Sequence, residues 1–398
     1  MAIINLKWRA IRYFFLALIA TALFAYYLYV SYRPPNDLYA DLFNVETQAS
    51  VDLPDLSKRT YVMFKQLQGA GFNNQAQEIL LYHHLALQAG RTYVYQPLIW
   101  RPRGEQATVP LSAFLRGPTE GTISEAVFDK VCGTHIAHVN LVVGYPEQWQ
   151  HALDVLRGSD RCIVVEDKIF NWGYLSSPSL HDLWPAFQQY IYDHFAWSDQ
   201  VLQIVNRTQT ELNLTSYMAL HLRRGDFEDH CAYLASTQTG FTTWATLPSL
   251  ASSVYPPALD TGNASTVLAH CYPSLRRVLA AVSAQARLRP DLRAIHIMHD
   301  GALDHPLVYL HVQKLAAALT HAGWAAEQGW AGGPMHRVTT STDVGLRRGE
   351  RDWAVCVDVE LGRRAAVFVG NGFSSLSTQV VALRLGSKVG GVEDITFY

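Results

Sequence analysis

At 398 residues, 49% hydrophobic and 17% charged, the chain has the composition of a globular protein long enough for two domain cores. Its formal net charge of -2 supplies no global field for nucleic acid or an anionic membrane surface. Any anionic ligand must be held by a local constellation.

The first readable element is apolar. Tyr13 to Tyr32 form a run of twenty residues without a charge, enough helix to cross a bilayer. Lys7, Arg9 and Arg12 precede it, and Arg33, Pro34, Pro35 and Asp37 follow. The positive-inside bias then puts residues 1–12 in the cytosol and everything after Pro34 in a lumenal or extracellular space. The run is aromatic-rich and ends without a small-residue cleavage site, which favours a type II signal anchor over a cleaved signal peptide. Sequons at Asn206, Asn213 and Asn263 agree with that side of the membrane. The five cysteines, Cys132, Cys162, Cys231, Cys271 and Cys356, lack close metal-type spacing. In an oxidising compartment they allow up to two disulfides, with the pairing open and one thiol left over.

Residues 33–58 are polar and read as a stem. From Thr60 the pattern changes: Tyr61–Phe64 reads as a strand, Gly69 to Gln75 as a loop, Ala76 to Leu87 as a helix and Arg91 to Tyr95 as a strand. This is how a Rossmann-like unit opens. Ile99 to Thr122, rich in Arg, Pro and Gly, reads as a long irregular loop. Cys162 to Val165 is another strand, and Leu183 to Val205 reads as one or two helices with aromatic residues in the core. A second series begins at Tyr217, with strands at 217–222, 294–298 and 366–369, and helices at 272–286, 308–322 and 378–385. Alternating strands and helices in two blocks, 59–212 and 213–398, predict an α/β chain of two doubly wound domains facing across a cleft.

Three strand ends could hold phosphate charge. The strand at 217–222 runs into His221-Leu222-Arg223-Arg224-Gly225-Asp226-Phe227, where arginine offers a fixed fork of donors and glycine lets the backbone turn sharply. Gly69 to Gln75 lies between a strand and a helix N-terminus, where free amides and the dipole favour an anion. It is not a full dinucleotide fingerprint, since Asn74 holds the third glycine position. Gly370 to Ser377 repeats the arrangement, and helix capping accounts for one of Ser374, Ser375 and Ser377 better than for all three. Together they suggest a nucleoside diphosphate in an interdomain cleft. Asp358 and Glu360 lie in a helical stretch, where residues two apart do not share a face, and His299-Asp300 reads as a satisfied polar pair at a strand end.

These motifs resemble the GDP-fucose protein O-fucosyltransferase superfamily of inverting, GT-B-fold enzymes. His221 to Phe227 is similar to its His-x-Arg motif, and Phe368 through Ser377 to its C-terminal Phe-x-Gly block. The resemblance implies that Arg223 grips the β-phosphate of GDP-fucose and is the catalytic residue. It further implies donor contacts from Gly71, Phe72, Asn73, Asn74, His221, Asp226, Ser374, Ser375 and Ser377, with Asp358 reading guanine. The first domain would then face the acceptor and the second the donor, in the Golgi or endoplasmic reticulum. No metal or cofactor is expected, because arginine and helix amides can carry the leaving-group charge. One branch of the family keeps a glutamate base where this chain has Ala70. The expected reaction is therefore fucose transfer to a Ser or Thr hydroxyl of a protein; the alternatives are a glycan acceptor, or an inactive membrane-anchored nucleotide-sugar or glycan binder.

Overall fold

The structure is a computed structural model describing residues 2–30, 36–99, 108–225, 227–300, 306–347 and 349–398, with backbone alone at 2–10, 28–30, 36 and 37. Seven strands come first: β1 (Tyr61–Phe64), β2 (Thr92–Tyr95), β3 (Leu98–Ile99), β4 (Thr108–Val109), β5 (Ile123–Ser124), β6 (Ala137–Val139) and β7 (Cys162–Val165). Five of them form a parallel sheet in the order β5-β2-β1-β7-β6, while β3 and β4 pair as an antiparallel ribbon. The second parallel sheet contains β8 (Met218–Leu222), β9 (Ala294–His299), β10 (Arg337–Thr340), β11 (Val367–Gly370) and β12 (Ile395–Phe397), in the order β10-β9-β8-β11-β12. Short, β-branched strands such as Cys162–Val165 and Val367–Gly370 suit sheets covered by helices on both faces.

Each sheet reverses its strand order once. From β1 the chain moves outward through β2 and β5, then returns on the other side through β6 and β7, so the reversal lies between β1 and β7. In the second sheet it lies between β8 and β11. Crevices at such switch points, beyond the strand carboxyl ends, are where open α/β sheets take ligands.

The two sheets are joined by buried contacts. Gln77, on helix Phe72–Gln88, donates to the Ser375 carbonyl at 2.9 Å and to Thr378 Oγ1 at 3.2 Å. Trp197 Nε1 donates to Glu360 Oε2 at 3.0 Å, and Trp353 Nε1 to the Ala113 carbonyl at 2.7 Å. Phe72, Phe114 and Trp353 continue the same apolar cluster across the junction, which keeps water out of these bonds.

Several expectations are corrected. The expected stem contains helix Asn36–Val51, which docks onto the body: Tyr39 donates to Asp352 at 2.8 Å, and Glu46 accepts from the Ser112 amide at 2.7 Å. Tyr39, Leu42 and Phe43 pack it onto the core, a single short apolar stripe within an otherwise polar stretch, and these polar bonds anchor it further. The expected irregular stretch 99–122 includes β4 and two 3-10 turns, Leu111–Ala113 and Gly117–Thr119; residues 100–107 lie outside the described set. The helix expected from Ala76 begins at Phe72, because Gly71 takes the extended cap conformation and Asn73 to Gln75 form the first turn.

Residues 2–30 are helical, and the described side chains from Ile11 to Tyr27 are exposed. Among the described residues no helix is long and apolar enough to cross a membrane, and residues 31 and 32 of the apolar run lie outside them. The cysteine pairing is resolved: Cys132 bonds Cys162, Cys231 bonds Cys271, and Cys356 is a buried thiol.

Candidate active site

β8 ends at the switch point of the second sheet, and the two arginines that follow it diverge. Arg223 stays partly exposed, pairs with Asp300 at 2.6 Å, and lies with its guanidinium carbon 4.9 Å from the Phe227 ring centroid. Arg224 turns inward, donates to the Pro273 carbonyl and covers the Tyr272 ring at 4.2 Å. Gly225 makes the turn between them and helix Phe227–Ser236 with φ +52°, a conformation that costs glycine little. Asp300, just past β9, accepts from Arg223 through one oxygen and from the Arg224 amide at 3.0 Å through the other. One carboxylate thus fixes both the guanidinium and the turn that carries it.

His221 faces the opposite way and is buried. Its Nδ1 lies 2.8 Å from Ser377 Oγ, which itself accepts from the Asn371 amide at 2.9 Å. The hydroxyl has a second lone pair and one proton, so the His221 tautomer sets which of the two groups donates in this contact. Burial, reinforced by Arg223 and His299, lowers the His221 pKa to about 3 and keeps the ring neutral. Tyr398 donates to the His221 carbonyl at 2.6 Å, tying the chain end to the same strand.

The loop after β11 depends on close approach. A Cβ at Gly370 would lie 2.6 Å from the Phe368 ring and 2.9 Å from Ser377 Oγ, and one at Gly372 would lie 2.5 Å from the Phe241 ring. Ser374 caps helix Ser375–Gly386 by position but makes no side-chain cap bond, leaving the first-turn amides for another acceptor. Ser374 and Ser375 can therefore donate with those amides to phosphate oxygens. Ser377 is fully buried, with its Oγ against His221 Nδ1 and the Asn371 amide, so it is out of reach of a ligand and the expectation of three donating serines is reduced to two.

The first loop converges on the same region through Gln77. Gln75 Nε2 closes the loop by donating to the Ala70 and Ile99 carbonyls at 2.7 and 3.2 Å. Phe72, expected to touch the donor, instead packs against Phe114 and Trp197 at 5.4 and 6.3 Å, because the helix begins earlier and turns that side chain into the core. Asn74 and Gly71 are exposed at the helix start, while Asn73 is buried with its Oδ1 unpartnered. Ala70 offers no carboxylate. The nearby acid, Glu78, is buried: it accepts from the Leu67 amide at 2.6 Å and from Tyr82 at 3.3 Å, and burial raises its pKa to about 7.

A raised carboxyl pKa means that the folded state holds the proton longer, so this contribution to stability is full below about pH 4.5 and is lost as the pH rises through about 7. Glu78→Gln keeps an uncharged acceptor. Relative to wild type it is expected to gain stability across that window, by up to roughly 3 kcal/mol, read as the difference in thermal midpoints between pH 4.5 and 7.5. A pH-independent difference would refute the assignment.

Asp358 sits on helix Ala354–Arg364, beyond Asp300 from the serine loop. Its Oδ2 accepts from Ser341 Oγ at 2.9 Å, and His296 Nε2 lies 3.8 Å from its Oδ1. Glu360 points away, toward Trp197, Arg363 and Arg364, as residues two apart on a helix must. Asp226 lies outside the described residues; among those described, the carboxylate paired with Arg223 is Asp300. The sequence offered Asp300 only as the second half of a strand-end pair. Of the sequons, Asn263 is an exposed helix cap and Asn213 an exposed turn, whereas Asn206 lies within a helix and accepts from Arg364 at 2.7 Å.

No protein-family model matches the chain, and no curated protein matches it. Solved structures do. POFUT1 in complex with GDP overlaps with a TM-score of 0.52 at 13% identity, covering 83% of this chain and 96% of that one. POFUT1 in complex with GDP-fucose overlaps at 0.50 and 14% identity, covering 83% and 95%. The fucosyltransferase NodZ from Bradyrhizobium overlaps at 0.43 and 12% identity, covering 82% and 93%, too loosely to carry an argument. At such identities the likeness is one of fold: the chain has the α/β, GT-B-like fold of POFUT1.

Proposed function

We propose that the protein is an inverting fucosyltransferase that moves fucose from GDP-fucose to a Ser or Thr hydroxyl of a protein acceptor. The observation that carries this reading is the meeting, at one switch point, of the Arg223–Asp300 pair with the uncapped helix start at Ser374 and Ser375. A diphosphate there would receive a guanidinium fork, hydroxyl donors and helix amides together. The acceptor oxygen attacks the anomeric carbon as the bond to the β-phosphate oxygen breaks, and the electron pair leaves with GDP. Arg223 stabilises that growing charge more than the ground state, so no metal is invoked. With Ala70 in the first loop and Glu78 turned inward, the departing diphosphate takes the acceptor proton.

The absence of a carboxylate at Ala70 also favours a second reading, a protein that binds the nucleotide sugar without turning it over. A glycan acceptor is a variant of the first. Two disulfides suit an oxidising compartment, and with the charge bias around Tyr13–Tyr32 they support a type II arrangement in the endoplasmic reticulum or Golgi, with residues after Pro34 lumenal. The test uses the full chain from carbonate-washed microsomes. GDP and GDP-fucose should raise its thermal midpoint while UDP sugars do not, and GDP should be released from GDP-fucose. Loss on washing would refute the anchor, no guanine-nucleotide shift would refute the donor, and a shift without release would select the binding protein.

A further inference from the structure

His299, the last residue of β9, is 7% exposed, and neither ring nitrogen has a hydrogen-bond partner among the described residues. An imidazole in that state is costly unless a ligand completes it. Its surroundings are fixed: its own amide donates to Ser341 Oγ at 3.0 Å, and the Ser341 hydroxyl donates onward to Asp358. Asp300 follows it in sequence and holds Arg223. Burial lowers the His299 pKa against the pull of Asp358 and Asp300, so the ring is neutral, with one N–H to give and one lone pair to fill.

Across the carboxyl ends of the second sheet the polar groups follow strand order: Ser374 and Ser375 after β11, Arg223 after β8, His299 and Asp300 at the end of β9, then Ser341 after β10, holding Asp358. Resting on the donor reading above, the phosphates lie at the first groups and the base at the last. The part of a nucleoside diphosphate between them is the ribose, whose hydroxyls each donate and accept. We propose that His299 binds a ribose hydroxyl of the nucleotide, with Ser341 as the positioning residue that aligns it with Asp358.

Binding of GDP, 2′-deoxy-GDP and 3′-deoxy-GDP to the full chain, measured by calorimetry, tests this. Wild type should bind GDP roughly tenfold more tightly than at least one deoxy analogue, the usual loss when a buried polar group is left unpaired. In His299→Phe the three ligands should bind alike, at the weaker level. His299→Gln, which keeps a donor and an acceptor, should recover part of the discrimination. If wild type does not bind GDP, the donor reading fails and this assignment with it. If wild type binds all three equally, or His299→Phe still discriminates, the ribose assignment alone is overturned.

Discussion

Arg223→Ala is expected to reduce fucose transfer by roughly 100- to 1,000-fold, the usual consequence of removing one preorganised donor from a developing anion. The unfolding midpoint should stay within about a degree or two, since substitutions at partly exposed positions rarely change stability by more than about 0.5 kcal/mol. Arg223→Lys should recover little, because an ammonium lacks the planar fork that Asp300 orients. Arg224→Ala provides the contrast. Its guanidinium is buried between Pro273 and Tyr272, so that variant should lose folded protein before it loses turnover per folded molecule. GDP release at saturating GDP-fucose is the measurement, and near wild-type turnover of Arg223→Ala would sink the mechanism.

Glu360→Ala is expected to cost about 3–5 kcal/mol, the range found when one partner of a buried ion pair is removed. Glu360 is fully buried and accepts from Arg363, Arg364 and, across the domain junction, Trp197. Truncation leaves two guanidinium groups short of their counter-charge and one indole N–H without its acceptor. Glu360→Gln keeps an acceptor for the indole and loses only the charge, so it should fall between wild type and alanine. Denaturant midpoints would show the order; alanine and glutamine variants indistinguishable from wild type would mean that the packing of Phe72, Phe114 and Trp353 alone carries the junction.

The same distinction between local and distant determinants runs through the site. β1 and β7 are legible because a parallel strand covered on both faces must be a short run of Tyr, Val, Ile, Met or Phe, and Tyr61–Phe64 and Cys162–Val165 occur as expected. The edge strands β5, β6 and β12, of two or three residues each, fall below the length at which any period is visible. The helix Phe72–Gln88 starts four residues before the expected Ala76, because two asparagines in its first turn look like loop residues. That shift turned Phe72 from a supposed ligand contact into core.

By itself the sequence determined the two α/β blocks, the strand that delivers Arg223, and the glycine-serine loop at the far end, since each is a pattern within about ten residues of chain. Only the tertiary structure decided which arginine faces the cleft, that Asp300 holds it from 77 residues away, and that Ser377 supports His221 from 156 residues away. It likewise paired the cysteines and docked the expected stem. The physical reason is that hydrogen bonds between strand ends depend on sheet order and register. Placing β11 and β9 on either side of β8 brings these side chains together, and no local periodicity records which strands become neighbours.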